Sequence, residues 1–543
     1  MVSTNKIDPV LIVGAGPSGL MAALILSRLN IPIRIIEKNL SKSIYSRAIG
    51  VQIRTLEIFS SLGILQDLMK KGIVIDNFQI NTENAVPIDL DPKLYFSQFK
   101  RPAIVDQAYT EEVLEHALNS KKISVERGVE LIDFKNTQEN IEAVLKQQSG
   151  DLSTFNFSYL IGADGAHSST RKKMSNSFLG KTYEDAFILA DVELNTKLSE
   201  RLFRIYFKEK KFLALIPMFG KNHFRLISVR PNERSKKAAE PDQAEFQSLL
   251  DQLVPFSAKI KNVGWVSRFF VQCRSASHYQ EGRVFLVGDS AHIHSPAGGQ
   301  GMNTGLQDAL NLCYKVALVL RGNAHPSLLS TYHQERKPVG DFLIKYTDRM
   351  FRFMVHGSIF ARLFRKLVLP KILSFKSYQS RLLRIISQTA IRYAHGCMCQ
   401  EKHPLVLPGV SIGARVPNWV LIGSDVQKTD IHSIVQGEFF SLLLFFPPSV
   451  DKPNCESIMR KAEYLCHSYQ VKIIPVFASD YDAEKIISNK EYYLLSEHNF
   501  FKAQEDIFFM MIRPDHHLFC IGGIDELEHL KDNLARFLIR KKV

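Results

Sequence analysis

The sequence predicts an α/β protein: a Rossmann-like nucleotide-binding domain interrupted by an antiparallel-sheet region, then a further α/β domain. Three observations predict it. The chain opens with an apolar run, a glycine-rich hexapeptide and a helical pattern, in the order strand, turn, helix. Between residues 185 and 268 the texture changes to alternating apolar and polar segments, the pattern of half-buried strands. At 543 residues the chain is also too long for one hydrophobic core, so two or three domains are expected.

The first strand is the apolar run at residues 10–13, the first helix spans residues 20–29, and a β-branched run at 31–36 ends at Glu37 and Lys38. Between strand and helix lies Gly14-Ala15-Gly16-Pro17-Ser18-Gly19, a G-x-G-x-x-G. Gly14 permits a tight turn, Gly16 lets the backbone approach a pyrophosphate, and Gly19 lets the helix pack close to the strand. The helix start offers free N–H groups and about half a unit of positive charge. Glu37 stands where a carboxylate accepts from a ribose 2′-OH, which favours FAD or NAD over a 2′-phosphorylated nucleotide. The motif alone leaves FAD and NAD both open.

Two more motifs follow. Ile161-Gly162-Ala163-Asp164-Gly165-Ala166-His167-Ser168-Ser169-Thr170-Arg171 follows another apolar run. Its Asp164 can fix loops by accepting backbone N–H groups, and Arg171 can meet a phosphate. Then a strand at 283–287 ends at Gly288, and Asp289 can accept from a polyol hydroxyl. Pro296-Ala297-Gly298-Gly299-Gln300-Gly301-Met302-Asn303 opens a helix running toward Leu320, and three glycines at a helix start make an anion-accepting cradle.

The expected domain bounds are 1–184 and 269–344 for the two parts of the nucleotide-binding domain, with the sheet region at 185–268 between them. A basic helical segment at 345–403 and a C-terminal domain at 404–543 complete the chain. Pro404 and Pro408 mark the linker, and the last domain carries strands at 439–446, 471–477 and 508–513, a helix at 456–469 and a final helix at 525–540.

Composition narrows the partners. Hydrophobic residues are 45% and charged residues 23%, ordinary for a globular protein, so no large disordered part is expected. Much of the net charge of +14 sits at 345–392, where eleven Lys and Arg residues face one acid, Asp348. Such an excess attracts anions, which keeps peripheral contact with an anionic membrane open. No nucleic-acid partner is expected. No signal peptide or membrane-spanning run is found, and the seven cysteines form no C-x-x-C. Cys397 and Cys399 lack a second pair to complete a zinc set, so no metal is expected, and reduced thiols in the cytoplasm are the expectation.

Together the motifs resemble the single-component FAD-dependent aromatic hydroxylases, the p-hydroxybenzoate-hydroxylase-like flavoprotein monooxygenases. The resemblance implies that the Gly14–Gly19 motif binds the ADP part of FAD, that Asp164 supports FAD and nicotinamide-nucleotide binding, and that Asp289 binds the ribityl chain. It implies that Pro296, Gly298, Gly299, Gly301, Met302 and Asn303 hold the flavin's pyrimidine edge, where reduced flavin carries negative charge. Ser46-Arg47-Ala48-Ile49-Gly50-Val51-Gln52 resembles the family segment after the second strand, placing Arg47 near the FAD phosphates and making it a candidate for flavin or nicotinamide positioning. Gln107 matches a family glutamine that contacts the cofactor. Arg513-Pro514-Asp515 resembles the C-terminal thioredoxin-like domain of larger members.

The chain departs from the family in places. Ile49 stands where the phenol hydroxylase branch has Asp, so that acid–base role is not available. His516 and His517 stand where the family often has Gly. Without a C-x-x-C, the C-terminal domain is read as structural or dimer-contacting.

The implied fold is a Rossmann-like FAD-binding domain with an inserted antiparallel-sheet substrate region and a C-terminal thioredoxin-like domain. The implied activity is FAD-dependent hydroxylation of an aromatic or phenolic small molecule with O₂ and NADPH or NADH, through a flavin C4a-hydroperoxide. One dinucleotide fingerprint means that the nicotinamide nucleotide docks transiently. Tyr206, Phe219 and His223 in the sheet region are candidates for contact with the substrate. An FAD-dependent oxidoreductase that inserts no oxygen, and a membrane-associated quinone-type hydroxylase, remain alternatives, and a homodimer stays open. A flavin halogenase is set aside, because Trp265 and Trp419 are the only tryptophans and no W-x-W-x-I-P occurs.

Overall fold

The structure is a computed structural model. It describes residues 7–42, 48–82, 87–91, 94–95, 97–209, 211–231, 233, 239–296, 298–355, 363–393, 407, 409–435, 437–478, 491–495 and 506–540. Arg47, Cys397, Cys399, Pro404 and Pro408 lie outside the described residues.

The first sheet is parallel except at one edge. Its order is Gln280–Glu281, Val284–Leu286, Tyr159–Gly162, Val10–Val13, Ile33–Glu37 and Glu126–Arg127. Val10 pairs with both Ile33 and Tyr159, which puts the Gly-rich turn at the C-terminal end of the central strand. Helix Pro17–Arg28 packs between helices Gly301–Leu320 and Gln107–Asn119. It is thus covered on several sides, and its residues from Gly19 to Ser27 are all buried. Pro17 suits the first turn, where its missing N–H would bond nothing.

The second sheet is wider than the expected 185–268. Two 18-residue strands, Phe178–Asn195 and Lys259–Ala276, pair along its length. Strand Asn77–Asn81 from the first domain adds to Leu202–Lys208 in parallel. Strand alternation sorts the side chains into two cores. On the back face, Ile188, Val192, Leu213, Leu215, Phe224 and Leu226 pack on Phe246 and Leu250 of helix Gln243–Leu253. On the front face, Phe187, Phe207, Phe212, Ile216 and Val271 meet Ile49, Ile75 and Ile104 of the first domain. The front face therefore closes against the nucleotide-binding half.

Among the described residues the C-terminal sheet has seven strands, ordered Lys428–Asp430, Val420–Gly423, Tyr493–Leu495, Lys472–Ala478, Ser441–Phe446, Phe508–Ile512 and Leu518–Gly523. Its core strands read as continuous apolar runs because both faces are buried. The final helix is shorter than the expected 525–540: a 3₁₀ turn at Ile524–Glu528 leads into helix His529–Ala535. The chain then leaves the helix because Leu538 bridges to Ala324 and Ile539 N–H bonds Asn323 O at 2.9 Å, back on the first domain.

A buried ionic network joins this domain to the first. Arg513 donates to both oxygens of Glu335 at 2.6 and 2.8 Å and to Asp515 at 3.0 and 2.7 Å. Asn311, on helix Gly301–Leu320, donates to Glu335 and Asp515 at 2.7 and 3.0 Å. Arg54 Nη2 reaches Asp515 O at 2.8 Å, while Glu57 accepts from Arg54 at 3.2 Å and from Arg415 at 2.9 Å.

Candidate functional site

The three motif glycines serve two different needs. A Cβ on Gly14, whose φ is +102°, would lie 2.5 Å from Ala163 O, and one on Gly19 would lie 2.0 Å from Gly14 O. Both therefore allow close packing. A Cβ on Gly16 would meet nothing within 4 Å, so this position faces open space beside the helix start. Ser18 Oγ fits between Gly288 and Gly305, where a Cβ would come within 2.4 and 2.3 Å of it. The Gly-rich helix, the Gly-Asp turn and the long helix thus lock together.

Glu37 is held beside this turn. Its Oε2 accepts from Ala15 N at 3.1 Å and its Oε1 from Asn39 N at 2.9 Å. Lys38 is exposed. Gln107 begins helix Gln107–Asn119; its Oε1 accepts from Ala48 N at 3.2 Å and its Nε2 donates to Glu111 at 2.9 Å, anchoring the segment that follows Arg47.

Asp164 is turned into its own loop. It accepts from the hydroxyl of Ser168, from Ser169 Oγ at 3.0 Å, and from Thr170 N and Oγ1 at 2.9 and 3.0 Å. Arg171, read as able to meet a phosphate, is turned into the fold. Its guanidinium is buried, donates to Ser290 O and Ala166 O at 2.7 Å each, and lies 3.7 Å from the Phe178 ring. Two of its five N–H donors go to those carbonyls, so Arg171 welds the Asp164 loop to the Gly288–Ser290 turn. Within that turn Gly288 and Ser290 are buried and Asp289 is exposed.

The cradle follows. Gly298 and Gly299 have φ of +88° and +62°, a conformation that favours glycine. Side chains built there would find their nearest neighbours at 3.6 and 3.8 Å, so the surface is open. Pro296, before the turn, is exposed, and its carbonyl accepts from Gly299 N at 3.0 Å; Gly301 and Met302, at the helix start, are half-buried. Asn303 faces inward: Oδ1 accepts from Gln52 N at 2.9 Å and Thr55 Oγ1 at 2.7 Å, and Nδ2 donates to Gly50 O at 2.8 Å and Gly299 O at 2.9 Å. It shapes the cradle with its side chain fully used. Gln52 and Gln300 both donate to Gly298 O, at 3.2 and 2.9 Å. Their buried Oε1 atoms have no partner among the described residues.

Sequence reasoning missed a second support. Gln388 follows helix Lys376–Ile386 with φ of +60°, left-handed for a non-glycine residue. Its Nε2 donates to Thr304 Oγ1 at 2.8 Å and Gln300 O at 3.2 Å, and its Oε1 accepts from Gln307. The basic segment thus ends as a clamp on the first turns of the cradle helix. Nothing local in the sequence marks it.

The open approach at Gly16, the pinned carboxylate of Glu37 and the orphaned glutamine oxygens at an open helix start fit a bound FAD. The family described as FAD binding domain matches residues 8–347. The chain belongs to this family. It is 30% identical over 437 residues to the uncharacterized aromatic compound monooxygenase YhjG of Bacillus subtilis (strain 168), covering 80% of this chain and 84% of that one. It is 33% identical to pentachlorophenol 4-monooxygenase of Sphingobium chlorophenolicum over 64% of this chain and 65% of that one. The solved structure of OxyS anhydrotetracycline hydroxylase from Streptomyces rimosus has a TM-score of 0.75 at 21% identity, covering 97% of this chain and 98% of that one, which shows the same fold. The chain is therefore an FAD-dependent monooxygenase of the aromatic hydroxylase type.

Beneath the monooxygenase's cradle runs a buried triad. Asp308 binds His292 Nε2 and Arg336 Nε at 2.7 Å each. Burial would raise the Asp308 carboxyl, but Arg336 and His292 overcome this and hold it at about 2. His294 lies over His292, with ring centroids 6.2 Å apart. Burial and the His292 ring push it down to about 4, so it is neutral at pH 7. Its Nδ1 lies 3.0 Å from Ser295 O and carries the hydrogen, leaving Nε2 as an acceptor without a partner among the described residues.

The three substrate candidates are not where the monooxygenase's sheet meets the cradle. Tyr206 is 3% exposed in the back core under helix Gln243–Leu253. Phe219 is 55% exposed near the hairpin tip, and His223, which follows the tip, is exposed too. Strand parity puts Tyr206 on the back face, while its neighbour Phe207 points to the front. No group of His, Cys, Asp and Glu among the described residues could hold a metal, and none of their helices is long and apolar enough to cross a membrane.

Proposed function

We propose that this monooxygenase hydroxylates an aromatic or phenolic small molecule, using O₂ and NADPH or NADH. The observation that carries this reading is the apolar front face of the inserted sheet, with Phe187, Phe207, Phe212 and Ile216, set against the segment that borders the cradle. An aromatic ring held where this wall borders the cradle would lie against apolar side chains, away from water. A bound FAD would supply the redox chemistry, hydride acceptance from the nicotinamide nucleotide and transfer of one atom of O₂ to the ring, the other atom leaving as water. Gly16 admits the pyrophosphate, and Glu37 accepts from the ribose. The start of helix Gly301–Leu320 turns its N–H groups toward negative charge on the flavin. The single Gly-rich fingerprint goes to FAD, so the nicotinamide nucleotide binds transiently. Five buried free cysteines among the described residues support a reducing, cytoplasmic setting.

A spectrum of the purified protein, then NADPH and NADH oxidation with a panel of phenols and polycyclic arenes, tests this reading. Expected are a flavin spectrum and arene-stimulated oxidation with an oxygenated product. Protein that takes up no FAD, or oxidation yielding only H₂O₂ with every arene, overturns it; the second result favours an oxidoreductase that inserts no oxygen.

One observation favours a peripheral membrane contact. Leu363, Phe364, Leu367, Val368, Phe375 and Tyr378 are all exposed beside exposed Lys371 and Lys376, and residues 349–400 contain no Asp or Glu. Apolar and basic side chains without acids suit an anionic bilayer surface. Flotation with phosphatidylglycerol vesicles but not with phosphatidylcholine vesicles is the expected result; absence of flotation with both removes this contact.

A further inference from the structure

Asp106 occupies the N-cap of helix Gln107–Asn119, yet its side chain accepts no N–H of the helix. Asp is favoured at this position because it normally makes that bond. Here its Oδ1 is buried and has no partner among the described residues.

Its place in the fold says what it faces. Strand Ala103–Ile104 pairs with Gly50–Val51, with Gly50 opposite Ile104. The ladder continues: Val105 N bonds Ile49 O at 2.8 Å and Gln107 N bonds Ala48 O at 3.0 Å. Val105 therefore lies opposite Ile49 and Asp106 opposite Ala48, and Asp106 shares the parity of Ile104, which belongs to the front-face core. Gly50 is bonded to Asn303 of the cradle, so Asp106 sits about two residues, roughly 7 Å, along the ladder from a cradle contact.

The charge on the facing sheet that acts on Asp106 is Arg225. Its neighbours Phe224 and Leu226 belong to the back core, so alternation turns Arg225 to the front face, where it is fully buried. Asp191 fixes it with two bonds of 2.6 and 2.7 Å, and the guanidinium lies 5.3 Å from the Trp265 ring. Burial raises the Asp106 carboxyl, Arg225 pulls it down, Asp191 raises it and Lys71 lowers it. The front face is otherwise apolar: Phe187, Phe207 and Ile216 with Ile49 and Ile104.

A carboxylate acceptor opposite a guanidinium, on an apolar wall, suits one kind of group. An anionic substrate would be repelled by Asp106 and Asp191. An arene without a donor would leave the Asp106 oxygen as bare as it is now. A ring hydroxyl satisfies it, and the hydroxyl oxygen then faces a positive charge.

We propose that Asp106 accepts the ring hydroxyl of a phenolic substrate, with Arg225 as the charge that steadies the hydroxyl oxygen. The O–H bond breaks as its proton passes to the Asp106 carboxylate; its electron pair stays on oxygen and enriches the ring for oxygen transfer. The proton leaves Asp106 for solvent or product when the hydroxylated phenol departs. This rests on the proposed function and narrows its substrate to neutral phenols.

The test compares 2-naphthol with 2-methoxynaphthalene in the FAD-bound protein, following both the perturbation of flavin absorbance and NAD(P)H oxidation. The wild type is expected to bind the naphthol about tenfold or more tightly than the ether, because a site built for a hydroxyl rejects an analogue without it. Asp106→Asn, with unchanged FAD content, is expected to bring the two within about twofold, a loss of about one decade of discrimination. In the wild type, naphthol affinity falls as pH drops through the Asp106 titration, while Asp106→Asn is flat over the same range. The charged groups facing Asp106 there are Arg225 and Asp191 on the sheet and Lys71 beyond helix Leu65–Met69.

Equal binding of the two probes by the wild type overturns the proposal without any variant, which covers the case where Asp106→Asn does not fold. A variant that keeps the preference and the pH response also overturns it. If ethers or plain arenes drive oxygenation and phenols do not, the proposal fails while the proposed function stands. If no arene of either kind does, the proposed function itself has failed.

Discussion

Arg513→Ala should loosen the C-terminal domain from the flavin domain. Arg513 is fully buried and bonds both oxygens of Glu335 and of Asp515, while Lys315 Nζ also binds Glu335 at 2.7 Å. Removing the guanidinium leaves two buried carboxylates sharing one ammonium. Breaking a buried ion pair from one side costs about 3–5 kcal/mol. For a domain of 150–250 residues each kcal/mol moves the melting temperature by about 2–4 °C, so a fall of roughly 6–20 °C is expected. Asn311 lies about two turns, roughly 12 Å, along the same helix from Asn303, so flavin release should move with the melt. The assay is a thermal melt followed by far-UV circular dichroism and by the fluorescence of released flavin. Adding Glu335→Gln to Arg513→Ala should recover part of the loss, because it removes one orphan charge. An Arg513→Ala melt within about 2 °C of the wild type, well below the shift expected for a buried pair, would refute this reasoning.

Gly16→Val should fold with an unchanged melt in the absence of FAD, since a Cβ there meets nothing, yet lose FAD affinity by about 100-fold or more in a flavin titration. Gly19→Ala should instead destabilise the apoprotein, because its Cβ would strike Gly14 O. Gln388→Gly should leave overall stability within about 1 kcal/mol, since relief of the left-handed backbone offsets the lost bonds, while bound-flavin fluorescence rises as the cradle loosens. Acid melts should report Asp308. Its folded carboxyl, at about 2, lies below an unfolded value of about 3.9, so its stabilisation of about 2–3 kcal/mol is complete above the unfolded value and is lost as pH falls through the folded one. Asp308→Asn should be less stable near neutral pH and lack that acid-dependent loss.

Short-range features are legible in the amino-acid order alone. The Gly-rich turn, Glu37 at the end of the next strand and the glycines at 298, 299 and 301 depend on backbone conformation over a few residues. Gly14, Gly298 and Gly299 all have positive φ, a state few other residues adopt. The role of Arg171 is not legible in this way, because the carbonyl of Ser290 that takes its charge is 119 residues away. Gln388 carries no signal, since its clamp depends on partners far along the chain. The Gly that the family often has after Arg-Pro-Asp has its physical reason in the backbone: His516 has φ of +64° there, and it stacks on His432 at 4.4 Å.

Local residue order set the nucleotide fold, the Gly-rich turn and the open helix start that are proposed to meet the pyrophosphate and the flavin. Each is written in neighbouring residues whose backbone needs are local. Tertiary structure decided which side of each strand faces the nucleotide-binding half. Tyr206 and Phe207 are both aromatic and both buried, and only the helix at Gln243–Leu253, packed on one face, tells them apart. It also decided that Asp106 lies across the ladder from Ala48, and that Glu335 and Arg513, 178 residues apart, share one buried charge network. Such pairings depend on how whole sheets and domains close, which no local pattern encodes.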